Sequence, residues 1–154
     1  MNYIFSAIFL YFFLGFLLYI FQRRIVFNKS GHPGAPKDYN LDNTEEVYIK
    51  TEDNLKLLSW YHKGNNSLPL LVYFHGNSFH IGDRAYRIQK YIEKNWSVLL
   101  VSWRGFGGNE GNPTEKNLYK DAEAVLKWIK NNTEFKFKEL VIYGESLGSG
   151  AAVE

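Results

Sequence analysis

The stretch Gly144-Glu145-Ser146-Leu147-Gly148 constrains this chain more than any other. It follows the apolar run Leu140-Val141-Ile142-Tyr143 and precedes Ser149-Gly150-Ala151-Ala152. The apolar run reads as a buried strand, and the small residues after the motif read as a helix able to lie close against a sheet. Between them the backbone must turn too sharply for ordinary dihedral angles. Side chains two positions before and after the serine would collide, so both positions are glycine. Such a turn lifts Ser146 Oγ clear of the sheet at the start of the next helix, where the helix dipole favours developing negative charge.

The preceding sequence supplies the sheet that this turn needs. Glu46-Val47-Tyr48-Ile49-Lys50 and residues 55–62 read as two strands joined by a Thr51-Glu52-Asp53-Asn54 turn, a hairpin. Pro69-Leu70-Leu71-Val72-Tyr73-Phe74 is continuously apolar, as a strand buried on both faces should be, and residues 97–103 read as another buried strand. Between them, residues 82–95 carry Ala85, Ile88 and Ile92 at helical spacing. A second helix opens at Asn112-Pro113-Thr114-Glu115, read as N-cap, first position and third, with Leu118, Ala122, Val125, Leu126 and Ile129 on one apolar face. A strand pair followed by β-α-β-α-β-α predicts a mostly parallel sheet flanked by helices.

Residues 3–21 hold 19 uncharged, largely apolar residues, about 28 Å of helix against a hydrocarbon layer of roughly 30 Å. Tyr3, Tyr19 and Phe21 fall near the two interfaces, and Arg23, Arg24 and Lys29 follow at once. A cleaved signal peptide fits less well, because no basic stretch precedes the run and no small-x-small site follows it. The chain therefore divides into a membrane helix at 1–22, a connector at 23–44 and an α/β domain at 45–154. The trailing positive charge predicts a single-pass protein with its domain on the cytoplasmic side. Lys and Arg number 18 against 16 Asp and Glu, so no basic stripe suggests a nucleic acid. With no cysteine, thiol chemistry is excluded. No His, Asp or Glu cluster has metal-ligand spacing, and no cofactor is expected.

Around Ser146, the residues at strand ends carry the chemistry. His75-Gly76-Asn77-Ser78 follows the strand that ends at Phe74. Acyl transfer needs backbone N–H groups fixed about 3 Å from a developing oxyanion. Leu147, just after the serine, and Asn77, across on the other loop, are placed to supply them, with Gly76 turning its loop inward. His75 is expected to shape that turn rather than act as a base. His80 is the outside candidate for a base, and His62 and His32 read as strand-end and connector residues. The glycine-rich stretch 104–111 could line a substrate site or simply turn tightly, and its spacing is not that of a dinucleotide loop. Asp83 and Asp121 are expected to be solvated on helix surfaces.

Five stretches, namely residues 21–27 after a single membrane helix, His75-Gly76-Asn77, Arg104-Gly105-Phe106-Gly107, Pro113-Thr114-Glu115 and Gly144-Glu145-Ser146-Leu147-Gly148, resemble in this order the α/β-hydrolase superfamily. The branch most similar is that of membrane-anchored serine hydrolases related to fungal cell-polarity hydrolases and animal protein depalmitoylases. The resemblance implies an α/β-hydrolase fold, of which this sequence would be the N-terminal portion. It implies Ser146 as nucleophile, Leu147 and Asn77 as oxyanion hole, and Gly144, Gly148, His75 and Gly76 as shaping residues. The implied substrates are esters or thioesters, small or lipid-linked, with peptidase activity in some relatives. The family's chain order is serine, acid, histidine, and neither partner is present in this sequence, so the 154-residue chain is expected to turn over poorly. The competing expectation is a non-catalytic membrane-anchored binding module, completed by an unidentified protein partner.

Overall fold

A computed structural model describes residues 2–29 and 31–154. Met1, Ser30 and the side chains of Asn2, Asn28 and Lys29 lie outside what is described, and with them the Lys29 charge expected beside the membrane helix. Helix α1, Asn2–Val26, runs past Phe21 and includes Arg23 and Arg24 in its last turn. No glycine or proline interrupts that turn, and cations at a helix C-terminus complement its dipole. The helix is long and apolar enough to cross a membrane, and none of its apolar window is buried against the rest of the protein.

Beyond α1 come β1 (Asn28–Lys29), a 3-10 turn Pro36–Tyr39, and the hairpin of β2 (Thr44–Lys50) and β3 (Lys56–His62). The hairpin pairs antiparallel from Thr44↔His62 to Lys50↔Lys56. Thr51 closes its turn, accepting from Leu55 N at 3.0 Å and donating to Asp53 Oδ1 at 2.6 Å. Then follow β4 (Leu70–Phe74), β5 (Ser78–Phe79), a 3-10 turn Ile81–Arg84, α2 (Ala85–Ile92) and β6 (Ser97–Val101). The chain continues with α3 (Glu115–Asn132), a 3-10 turn Phe137–Glu139, β7 (Leu140–Gly144) and α4 (Leu147–Val153).

The main sheet has the order β2-β3-β6-β4-β7, and β6, β4 and β7 are parallel. Every residue of β4 and β6 is buried, as the apolar runs at 70–74 and 98–101 require. The two-residue period of a strand divides β4 between two cores. Leu70, Val72 and Phe74 pack with Leu118, Val125 and Ile129 of α3 and Ala151 of α4. Leu71 and Tyr73 pack on the other face with Ile81, Ala85 and Ile88. Each large side chain buried in this way stabilises the fold by about 1.5–3 kcal/mol.

Three sequence expectations need correction here. Helix α3 is capped by Thr114, whose side chain accepts from Asn117 N, so Asn112 and Pro113 lie before the helix rather than at its cap and first turn. Asp121 is not solvated but fully buried. The 82–95 helix is a 3-10 turn that opens into α2, which ends at Ile92.

The register sets the site. Phe74 lies opposite Val101 on one side and Gly144 on the other, so β6, β4 and β7 end level with one another. The loops that follow them, at 102–114, 75–77 and 145–146, therefore leave the sheet from the same rim.

Candidate active site

The strand-to-helix turn at Ser146 takes φ 48° and ψ −112°, a conformation that an ordinary residue adopts only under compulsion. Close approach supplies the compulsion. A Cβ at Gly144 would come within 2.5 Å of Ser149 Cα, and one at Gly148 would fall on the Phe74 carbonyl oxygen. The turn is pinned by Glu145 N donating to Phe74 O at 2.9 Å and by Gly148 N donating to Glu145 O at 2.8 Å. Ser146 itself is exposed, and its side chain makes no capping hydrogen bond to α4.

The loop after β4 meets this elbow. A Cβ on Gly76 would stand 3.4 Å from Ser146 Cβ and 3.2 Å from Glu145 Oε1. Glycine here lets the backbone of 76–77 come alongside the serine. The Asn77 side chain is engaged elsewhere, donating to Val26 O at the end of α1 at 2.8 Å. Among the described residues no hydrogen bond engages the backbone N–H of Asn77 or of Leu147.

The loop is also tied to the end of α1. Strand β5 pairs parallel with β1, Asn28 opposite Ser78 and Lys29 opposite Phe79. Phe27 meets the Phe106 ring edge-on at 6.5 Å and packs against the core.

None of the four histidines hydrogen-bonds Ser146 among the described residues. His75 is completely buried, with Trp103 Nε1 donating to its carbonyl at 2.8 Å and Phe106 edge-on to its ring at 5.3 Å. Burial, with the Arg84 charge adding to it, pushes the imidazole down to about 3, so it stays neutral. His80 Nδ1 lies 3.3 Å from Asp83 Oδ2 in the turn that leads to α2. His62 Nδ1 is within 3.2 Å of Thr44 Oγ1, and His32 Nδ1 accepts from Gly34 N at 3.1 Å.

The loop after β6 is held by charges that the sequence did not reveal. Arg104 is almost completely buried and donates to Asp121 through Nε at 2.8 Å, Nη2 at 2.6 Å and its backbone N at 3.1 Å. Its Nη1 reaches Asp53 in the hairpin turn at 2.7 Å. Burial pushes the Asp121 carboxyl up against these bonds, while Arg104 and Thr51 hold half-exposed Asp53 well below the usual carboxylate range. Arg104 is thus committed to the fold and is not free to meet a substrate.

A second cation missed in the sequence stands at the site. Arg84 bonds both carboxylate oxygens of Glu145, which also accepts from Tyr73 Oη at 2.8 Å. Burial raises the Glu145 carboxyl, and the bonds from Arg84 and Tyr73 outweigh it, leaving the pKa below its ordinary value. Glu145 reads in sequence only as a variable position within the glycine–serine motif, and its partner lies 61 residues away. Among the described residues no group of three His, Asp or Glu could hold a metal ion.

Comparison with known proteins gives a consistent set. No family model matches the chain. The α/β-hydrolase domain-containing protein WAV2 of Arabidopsis thaliana is 28% identical over 141 residues, 86% of this chain and 46% of that protein. A lysophosphatidylserine lipase of Danio rerio is 28% identical over 138 residues, 76% of this chain and 36% of the lipase. The structure of an esterase from Pyrococcus furiosus superposes with a TM-score of 0.65 at 27% identity, covering 82% of this chain and 51% of the esterase. The chain spans about half the length, or less, of the proteins it matches.

Proposed function

We propose, for a chain that belongs to the α/β-hydrolase superfamily, that Ser146 is the nucleophile of a membrane-anchored serine hydrolase acting on ester or thioester bonds. The observation that carries this reading is the backbone of Ser146. A positive φ on a non-glycine residue, enforced by two glycines with no room for a Cβ, holds an exposed hydroxyl at the rim where three strands end. Ser146 Oγ would attack the acyl carbon, giving its proton to a base as the C–O bond forms. The oxyanion would be received by the backbone N–H groups of Leu147 and Asn77. Collapse expels the leaving alcohol or thiol with that proton, and water then releases the acid. In this family the acid and the histidine base follow the serine in chain order. Helix α1 would hold the enzyme on a membrane, and Arg23 and Arg24 favour a cytoplasmic domain. The substrate would be a small or lipid-linked acyl compound, in keeping with the lipase and esterase relatives.

The test is labelling with a fluorophosphonate probe, together with hydrolysis of p-nitrophenyl butyrate. Both are expected from the protein as its gene encodes it, and both are expected to vanish in Ser146→Ala with the fold intact. Hydrolysis that survives Ser146→Ala rules the serine out. The competing reading, a non-catalytic binding module, is the other outcome of the same test. A stable, monodisperse wild type that neither labels nor hydrolyses would establish it.

A further inference from the structure

Resting on the serine-hydrolase reading, we propose that Arg84 is a positioning residue that holds the nucleophile elbow and the oxyanion loop at their working separation. The guanidinium lies between the two. Its Nε and Nη2 donate to Glu145 Oε2 and Oε1 at 3.3 and 3.0 Å, and its Nη1 donates to the Ser78 carbonyl at 2.8 Å. Glu145 is joined directly to Ser146, and Ser78 directly to Asn77. One planar cation therefore grips a neighbour of the nucleophile and a neighbour of an oxyanion donor, which arrive on different strands.

Chemistry and surroundings both support this role. An arginine offers several N–H donors in a fixed plane, so it can satisfy a carboxylate and a carbonyl at a set separation, whereas a lysine offers a single mobile point charge. The Arg84 side chain is only 9% exposed, which keeps water from loosening the grip. The Glu145 carboxylate sits against the gap left by Gly76, with Tyr73 Oη fixing its other side. Oxyanion donors work only within a few tenths of an ångström of their target, so a small slip between the two loops weakens catalysis much more than substrate binding.

The experiment compares wild type, Arg84→Lys, Glu145→Gln and the double variant of the protein as its gene encodes it, in membranes, with p-nitrophenyl butyrate as probe. Thermal unfolding is followed alongside. For Arg84→Lys the expected result is a loss of kcat of about 10- to 100-fold, with KM within about threefold and unfolding near that of wild type. The double variant is expected to lose less than the product of the two single losses, because both residues serve one link. Wild-type kcat in Arg84→Lys overturns the proposal. So does a loss matched by the fraction of protein unfolded, or losses that simply multiply. If the wild type shows no turnover dependent on Ser146, the serine-hydrolase reading itself falls and takes this proposal with it. An active wild type with an unaffected Arg84→Lys removes only the proposal.

Discussion

His75 and Gly148 occupy adjoining space at the end of β4, and the glycine has no room for a side chain. A Cβ on Gly148 would approach the carbonyl oxygens of both Phe74 and His75. That demand was legible in the sequence, because the colliding atoms lie within one sharp turn and the motif carries its own geometry. The state of His75 was legible only in part. Its place beside Gly76 marked it as a shaping residue, but its complete burial depends on Trp103 and Phe106, which arrive from another loop. Burial keeps the imidazole neutral down to about pH 3, whereas in the unfolded chain it titrates near 6.5. Unfolding between these values takes up a proton, so stability rises with pH. The contribution is complete above about 6.5 and is lost as pH falls towards 3. Buried His62, also lowered by desolvation, acts in the same direction. In urea unfolding of detergent-solubilised protein, lowering pH from 7 to 5 is expected to cost wild type about 2 kcal/mol more than His75→Gln. Parallel pH dependences would show that His75 does not titrate on unfolding.

Among the elements, those with a clear period were readable: the hairpin, the two apolar central strands and the amphipathic face of α3 all stand where the pattern put them. Strands β1 and β5, two residues each, were not readable, since two residues carry no period and their pairing depends on the course of the chain after α1. The start of α3 was misread at Asn112, because an Asn followed by Pro is itself a sound cap and first turn, but the structure caps the helix with Thr114. Asp121 was misread because a helix pattern shows which face is polar but not that a buried arginine waits there. Arg104 reaches it across 17 residues and staples the loop after β6 to α3 and, through Asp53, to the hairpin. The two links should differ greatly in value. Asp121→Asn leaves a buried guanidinium short of its charge partner and is expected to cost about 3–5 kcal/mol. Asp53→Asn changes a carboxylate that is itself 39% exposed, and is expected to cost about 1 kcal/mol or less. Urea midpoints of the two variants measure the difference, and equal losses would refute the staple to α3 as the dominant one.

At the scale of the whole sheet, the two outer strands among the described residues differ in character. The outer strand β2 presents Glu45, Glu46 and Lys50, exposed charges that discourage pairing with another strand. Among the described residues β7 pairs on one side only, with β4. Its Val141 and Tyr143 are 39% and 38% exposed, on the face away from Leu140 and Ile142, which pack into the core with α3 and α4. Tyr143 is partly covered by stacking on Tyr73, at 4.6 Å between rings. Val141 has no such cover, and an apolar, singly paired strand is a template for pairing. The 154-residue chain is therefore expected to self-associate through β7 even when detergent covers α1. Val141→Lys is expected to shift it towards monomer with little change in stability, because the side chain is already exposed. Tyr48→Lys on β2, also at an exposed apolar position, serves as control and is expected to leave association unchanged. Sedimentation velocity in detergent distinguishes the cases. If Val141→Lys associates as wild type does, the contact lies elsewhere, and if both variants dissociate it, exposed apolar area in general, rather than the free strand edge, drives association.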